Sequence, residues 1–451
     1  MTEDLRRTVR RLLPGVLADL GALIRIPSVG AEPAAAPYLR QCAEATAELF
    51  RAAGAHRADL VHTGAQDRPA VLAHFPGPPD QPTVLLYGHY DVVPPGDPAA
   101  WTSPPFEPVV RDGRLHGRGS ADNKAAIAAH LAALRAHRGS PPVTVTVLIE
   151  GEQETGSTTL RPLLEQYRDQ LTADLLVLAD GSNWEIGVPA LTTTMRGLVT
   201  CDVEVSVLRH SIAGGYAGPV PDALTALCRL LATLHDDKGD VAIAGLVTAR
   251  SPQAELPEDV LRPEVGLLDG VQLIGSGTVT ERLWAKPAAT VTSIAPPPAA
   301  HTPGALTPAA RARIALRLAP GDSPAQAMRA LAGHLTANAP WNVHVVVTDG
   351  QATRPCALAT DTPALDALRA AFRHAYGQEV VDAGVGSTIP YALAFADAYP
   401  AAAIAVTSPG TDPGCRAHST DEGLHLGDFA RACTAEALLL TELARPREGR
   451  P

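Results

Sequence analysis

The chain has 451 residues, enough for two domains of ordinary size, and its 46% hydrophobic and 19% charged residues are typical of a globular protein with a large core. A net charge of −11 and the lack of a basic stripe argue against a nucleic-acid-binding protein. No apolar run reaches membrane-spanning length and no apolar signal core opens the chain, so we expect a soluble, cytoplasmic protein without a membrane partner.

The first part of the chain alternates helices with short apolar strands. Helical periodicity covers 5–24 and 38–53, and strands are predicted at 70–74 and 83–87. The alternation continues with a helix at 122–136, a strand at 143–149, a helix at 161–170 and a strand at 175–179. Such alternation predicts an α/β fold, in which helices flank a mostly parallel sheet on both faces.

The pattern changes after Gly197. Apolar and polar residues alternate from Val199 to Val207, which predicts a strand in a sheet with one exposed face. Further segments of the same unit are a helix at 221–234, strands at 311–318 and 342–348, and a helix at 324–336. We assign the proline-rich segment 251–298 to irregular connections.

These segments predict an inserted α+β domain at 198–347. It divides the α/β domain into a first part, 1–197, and a second part, 348–451. The second part contributes helices at 363–376 and 428–443 and a strand at 402–407.

Chemically active side chains follow the predicted strands. His89 comes after the strand at 83–87 and is followed two residues later by Asp91, which is close enough to orient the imidazole. The other candidates are Asp122, Glu154, Asp180 and His418. Open α/β sheets bind ligands at the carboxyl ends of their strands, so these side chains are expected to converge. Two imidazoles and three carboxylates suit a pair of borderline metal ions such as zinc, with one carboxylate bridging both.

Each of these residues also has an ordinary interpretation. Asp122 is suited to cap a helix, and Asp180 to form a turn. His89 and His418 are of a kind that often forms hydrogen bonds in loops. Taken singly, each residue favours the ordinary interpretation, whereas the whole set at strand ends favours a metal site.

Several sequence blocks carry a family resemblance. They are 88–94, 101–108, 117–124, 150–157, Asp180, 196–197, 317–320 and 417–419, in that order. With these blocks the chain resembles the co-catalytic zinc metallopeptidases, which include carnosine dipeptidases, aminoacylases, succinyl-diaminopimelate desuccinylases and glutamate carboxypeptidases. The dipeptidase-like branch is the most similar.

The resemblance implies that His89, Asp122, Glu154, Asp180 and His418 hold two divalent ions, with Asp122 bridging them. The ions would be zinc, with manganese or cobalt as alternatives. It also implies that Asp91 holds His89 and that the inserted domain is a lid that joins a homodimer. Gly386 and Ser387 correspond to positions near the substrate's carboxylate, although the local spacing differs by one residue.

The chain departs from the family pattern at Gln153. Family members carry consecutive glutamates here, the first a general base and the second a ligand, whereas this chain has Gln153 followed by Glu154. An amide cannot take up a proton at accessible pH, and loss of a general base typically costs ~10²–10⁴-fold in rate. Glu152 is a candidate replacement, although an offset of one residue normally points a side chain elsewhere.

A second departure concerns the lid. Relatives place a histidine that stabilises an oxyanion some residues before a Val-Pro pair. Counting back from Val220 without gaps puts Ile212 at that position. His210 would take the role only with a shift of two residues, and the sequence does not decide between the two.

Three functions follow from these features. The first is a metal-dependent enzyme acting on an amide of an amino acid or small peptide, whose reaction is acyl transfer, amide formation or rearrangement. The second is an ordinary dipeptidase or N-acyl-amino-acid hydrolase with another base. The third is a non-catalytic metal-binding scaffold or a partner subunit.

Overall fold

The structure is a computed structural model that describes residues 2–62, 68–251, 254–295 and 304–445. Its strands are β1 (Arg57–Val61), β2 (Ala70–Phe75), β3 (Thr83–His89), β4 (Val109–Arg111), β5 (Arg114–His116), β6 (Thr144–Glu150), β7 (Leu175–Leu178), β8 (Ala190–Met195), β9 (Gly197–Ser206), β10 (Ala288–Ala295), β11 (Ala309–Leu318), β12 (His344–Thr353), β13 (Cys356–Ala357), β14 (Val381–Val385), β15 (Ala403–Val406) and β16 (Gly423–His425). Its helices are α1 (Thr2–Ile24), α2 (Ala36–Ala52), α3 (Lys124–Ala136), α4 (Leu160–Gln166), α5 (Arg168–Leu171), α6 (Ala223–Ala232), α7 (Glu258–Glu264), α8 (Pro324–Ala337), α9 (Pro363–Tyr376), α10 (Pro390–Ala398) and α11 (Leu426–Leu443).

The chain divides into two compact units. The first unit consists of Met1–Thr193, Leu358–Ala383 and Ile389–Pro451. The second unit consists of Thr194–Ala357 and Gly384–Thr388. The predicted insert, 198–347, lies within the second unit, and its role as a lid stays a prediction.

The first unit is built on a sheet with the strand order β1-β2-β6-β3-β7-β15-β8. The central strands β6, β3, β7 and β15 are parallel, whereas β1, β2 and β8 pair antiparallel to their neighbours at the two sides. The predicted strands at 70–74, 83–87, 143–149, 175–179 and 402–407 are β2, β3, β6, β7 and β15. Each bound lies within two residues of its prediction.

Both faces of the central sheet are covered, as its continuous apolar strands predict. Val84 and Leu86 of β3 belong to the large core that also contains Ile127 of α3. Tyr87 stacks on Tyr391 of α10, with ring centroids 5.0 Å apart. The predicted α/β fold class is therefore confirmed.

The second unit contains an antiparallel sheet with the order β10-β11-β9-β12. Residues along β9 alternate between buried and half-buried positions, as the sequence pattern predicts. Val203 is buried in the core with Leu227 of α6 and Leu331 of α8. On the other face Asp202 accepts hydrogen bonds from Arg313 at 2.8 Å, so that face is polar.

Two predicted elements differ from the structure. The segment 251–298 was expected to be irregular, but it contains α7 and β10. Only one residue of β10 is buried, so this edge strand lacks the alternation that marks a half-buried strand. The predicted helix at 161–170 is two helices, α4 and α5, which meet at Tyr167. Within the described ranges we find no helix with the length and apolarity needed to cross a membrane.

Candidate metal centre

His89 ends the central strand β3 and is fully buried. Its Nδ1 lies 3.0 Å from the backbone oxygen of Asp91 and 3.3 Å from Asp91 Oδ1. Its Nε2 lies 3.3 Å from Asp122 Oδ1 and 3.7 Å from Asp180 Oδ1. One ring nitrogen thus faces Asp91, as expected for a residue that orients the imidazole, and the other faces two carboxylates.

The second imidazole approaches Asp122 from its other oxygen. His418 Nε2 lies 3.1 Å from Asp122 Oδ2 and 3.2 Å from Glu154 Oε2. Ligand atoms of His89, Asp122 and Glu154 lie within 4.8 Å of one another. The structure therefore brings the five predicted ligands together, and their role as ligands stays a prediction. We call His89, Asp122, Glu154, Asp180 and His418 the metal cluster.

The metal cluster has unused ligand atoms where a cation would need them. His89 Nε2 and Glu154 Oε1 are buried and have no hydrogen-bond partner among the described residues. Buried polar atoms are rarely left without a partner, because desolvation without a hydrogen bond is costly. Imidazole and carboxylate are also the donors that zinc and similar ions accept. The residues therefore fit a divalent metal.

Three side chains of the metal cluster have pKa values far from their usual ones. Burial opposes ionisation of Asp122, but the neighbouring imidazoles of His418 and His89 outweigh it and hold its pKa well below the usual value. Burial would lower the pKa of His89, but Asp122, Asp180 and Asp91 raise it well above the usual value. Hydrogen bonds to Asp122 and Glu154 raise the pKa of His418 to about 10. A divalent ion would displace the imidazole protons that these carboxylates favour.

Asn123 connects three of the elements that carry the metal cluster. Its Oδ1 accepts a hydrogen bond from the backbone N–H of His89 at 3.1 Å. Its Nδ2 donates to the backbone oxygen of Ala179 at 2.8 Å and to Asp180 Oδ1 at 3.0 Å. The sequence prediction did not include Asn123. Its position next to Asp122 was a signal, since an amide there can both donate and accept.

Asp91 also fixes the loop that carries Glu154. Its Oδ1 accepts a hydrogen bond from Gln153 N at 3.2 Å, and its Oδ2 accepts one from Glu154 N at 3.0 Å. The carboxylate beside His89 therefore orients two parts of the metal cluster. This exceeds the predicted role, which concerned His89 alone.

Gln153 lies beside the metal cluster, and its side-chain Nε2 donates to Asp180 Oδ2 at 3.4 Å. Glu152 points elsewhere. Its carboxylate is buried and accepts hydrogen bonds from Thr159 N, Thr159 Oγ1 and Thr158 Oγ1 at 2.8 to 3.2 Å. Among the described residues no hydrogen bond or ion pair joins Glu152 to the metal cluster. Successive residues of this loop thus face different directions, and the role of Glu152 as a replacement base stays a prediction.

The remaining predicted residues belong to the second unit. His210 is exposed, and Ile212 is half-buried and pairs with Leu306 in an isolated bridge. Gly386 accepts a hydrogen bond from Arg196 Nε at 3.0 Å, and Ser387 is exposed. Roles for His210, Gly386 and Ser387 stay predictions, and so does the choice between His210 and Ile212.

A parallel sheet whose carboxyl edge gathers two imidazoles and three carboxylates is the architecture of a metalloenzyme. Comparison with known families specifies the kind, because residues 85–442 match the pattern of Peptidase family M20/M25/M40. The chain belongs to this family of metallopeptidases and is an enzyme. The predicted family is thereby confirmed.

Individual relatives agree with this assignment. The chain is 33% identical over 369 residues to the cysteinylglycine-S-conjugate dipeptidase of Corynebacterium striatum, covering 80% of this chain and 81% of that one. Its fold is similar to that of human carnosine dipeptidase 1, with a TM-score of 0.77, 23% identity and 98% of both chains covered. It is also similar to a di-peptidase of Saccharomyces cerevisiae, with a TM-score of 0.76, 20% identity and 99% of both chains covered.

Proposed function

We propose that this enzyme uses two divalent ions to act on an amide of an amino acid or small peptide, and that its reaction is not ordinary hydrolysis. The observation that carries the proposal is a contrast between adjacent residues. Glu154 points at His418 with the rest of the metal cluster, whereas Gln153 presents an amide to Asp180. All five proposed ligands are present, but the residue at the position of the family's general base has no acidic or basic group.

The ligand assignment rests on which atoms face each other. His89 and Asp180 lie on the side of Asp122 Oδ1, and His418 and Glu154 on the side of Asp122 Oδ2. This arrangement supports a shared Asp122 with two ligands on either side. Zinc is our first choice for both ions, with manganese or cobalt as alternatives. When bound, such ions polarise an amide carbonyl and acidify a coordinated water.

Gln153 stands where a hydrolase of this family needs a group that transfers the proton of the attacking water. A hydrolase must accept a proton from the attacking water and return it to the leaving amine. Gln153 can donate and accept hydrogen bonds but has no titratable group. Its hydrogen bond to Asp180 also holds the amide nitrogen toward a ligand rather than toward a reacting proton. A reaction in which a neutral amine replaces water is therefore favoured, because the amine can attack without first losing a proton and that proton can then pass to the leaving group: acyl transfer, amide formation or rearrangement.

Isotope partitioning tests this proposal. The metal-loaded enzyme is incubated with a panel of dipeptides and N-acyl amino acids in ¹⁸O-water, with and without added amino acids as acceptors. We expect transfer products that contain the acceptor and little ¹⁸O in the released carboxylates. Rapid ¹⁸O incorporation without acceptor-containing product would contradict the proposal.

An ordinary dipeptidase activity is the second candidate, and the identity to the Corynebacterium striatum dipeptidase favours it. This candidate needs a base other than Gln153. If Glu152 were that base, Glu152→Ala would abolish dipeptide turnover, whereas retained activity would exclude Glu152. A cytoplasmic location and a homodimer formed through the inserted domain are further parts of our proposal for this chain.

A further inference from the structure

The carboxylate of Glu422 is fully buried four residues beyond His418. Its Oε1 accepts hydrogen bonds from the backbone N–H groups of Ala121 at 2.8 Å and Asp122 at 3.0 Å. Its Oε2 accepts one from Gly119 N at 3.1 Å. A single side chain thus takes up three N–H groups of the loop that ends in Asp122.

Arg118 completes this arrangement. Its guanidinium is almost fully buried, and its Nη1 pairs with Glu422 Oε2. Its Nη2 donates to the backbone oxygen of Ser419, the residue after His418, at 3.0 Å. Since a buried carboxylate is costly without a partner, this ion pair permits Glu422 to remain charged inside the protein. Arg118 thereby also holds the segment that carries His418.

The backbone joins the same two segments. Gly117 N donates to the backbone oxygen of Glu422 at 3.1 Å. Strands β5 and β16 pair antiparallel next to this contact, with His116 opposite Gly423. The loop before Asp122 and the segment after His418 are therefore attached at their side chains and at their backbones.

We propose that Glu422 is a positioning residue that fixes Asp122 and His418 relative to each other for metal binding. This inference rests on the proposed function, because it assumes that both residues are ligands. Asp122 presents one oxygen to His89 and the other to His418. This orientation requires that the backbone of Asp122 be fixed relative to His418. Glu422 lies in the segment that carries His418, and its carboxylate contacts the backbone of Asp122. Loss of Glu422 should therefore weaken metal binding rather than only destabilise the fold.

The test compares Glu422→Asp with wild type and with a matched control. Glu422→Asp keeps the charge that Arg118 needs but draws the carboxylate back by one methylene. Glu422→Gln is a second variant, in which the charge is lost and the size is kept. The control is Glu436→Gln, since Glu436 is a buried carboxylate of α11 that hydrogen-bonds His130 at 2.8 Å instead of the Asp122 loop.

The readouts are cobalt affinity, measured by competition with a chelator, and the absorption spectrum of the bound cobalt. Urea unfolding of the metal-free proteins measures stability separately. We expect Glu422→Asp to bind cobalt about 10- to 100-fold more weakly than wild type, the usual range for residues that support ligands, and to show an altered spectrum. Glu436→Gln should keep the wild-type affinity and spectrum.

Two results would overturn the inference. If Glu422→Asp bound cobalt with the affinity and spectrum of Glu436→Gln, positioning by Glu422 would be refuted while the proposed function would stand. If wild type itself bound no cobalt, zinc or manganese, the proposed function would fail and this inference with it. If Glu422→Gln did not fold, Glu422→Asp would still decide between these outcomes.

Discussion

The metal cluster takes Glu154 from the segment Glu150–Ser157, but its members and the other side chains of that segment are organised in opposite ways. Side chains of the metal cluster come from separate elements and converge on Asp122. Neighbouring acidic and amide side chains of the loop diverge: Glu150 contacts Tyr87, Glu152 contacts Thr159, and Gln153 contacts Asp180. On the proposed function, metal binding and proton transfer therefore depend on separate structural features, so one can change while the other is kept.

The largest expected effect comes from restoring a base in the loop. Gln153→Glu should raise dipeptide hydrolysis by ~10²–10⁴-fold, the usual contribution of a positioned base. Steady-state kinetics on metal-loaded protein measures it. Gln153→Ala is the control, because it removes the hydrogen bond to Asp180 without adding a base. Equal rates for the two variants would show that the loop is not what limits hydrolysis.

The second effect concerns the metal cluster itself. Asp122→Asn removes the negative charge that both imidazoles face, so we expect metal affinity to fall by more than the ~100-fold upper range for supporting residues. Competition titration with a chelator gives the affinity. Asp174→Asn is a matched control, since Asp174 hydrogen-bonds Thr83 at the opposite end of β3. Unchanged affinity in Asp122→Asn would disprove its place at the centre of the site.

Glu150 allows a test by pH. Burial raises its pKa to about 7 from 4.5, although Ser157 and Tyr87 donate hydrogen bonds to it. Between these pH values the folded state binds more protons than the unfolded state, so this group lowers the free energy of unfolding as pH rises. The loss in the free energy of unfolding over this pH range is about 3 kcal/mol. Glu150→Gln should remove this loss, as measured by urea unfolding of metal-free protein from pH 4.5 to 8. The exposed Glu165→Gln serves as control, and parallel pH curves for both variants would refute the assignment.

The smallest effect is expected at Glu152. In the Gln153→Glu background, Glu152→Gln should keep the gained hydrolysis, because its carboxylate binds Thr158 and Thr159. The free energy of unfolding should fall by about 1–2 kcal/mol as charged hydrogen bonds are weakened. Kinetics and denaturant unfolding measure both. A loss of about 10²-fold in rate would instead identify Glu152 as a base.

Much of the first unit was predictable because its strands are buried and apolar on both faces. Strand ends then placed His89, Asp180 and His418 at one edge of the sheet, and the structure brings them together with Asp122 and Glu154. The edge strand β10 escaped prediction because it buries so few of its residues.

The supporting residues were harder to predict. Glu422 Oε1 accepts a hydrogen bond from the backbone N–H of Asp122, 300 positions away in the chain, and such a contact leaves no local pattern. The side chain of Glu152 points toward the hydroxyl of Thr159, and hydrophobic periodicity does not reveal this contact either. Motifs thus identified which side chains come together, whereas the direction of each side chain needed coordinates.

The position of β15 has a consequence for how the protein is made. This strand lies between β7 and β8, although all of the stretch Thr194–Ala357 beyond the end of β8 at Met195 is synthesised between β8 and β15. Until β15 has been synthesised, the central sheet therefore lacks the strand that joins β7 to β8. Domains generally fold as units during synthesis, so the second unit can fold before the strands that complete the first unit have been synthesised. His418 follows β15, so the proposed ligand set is complete only after the segment beyond β15 has been synthesised.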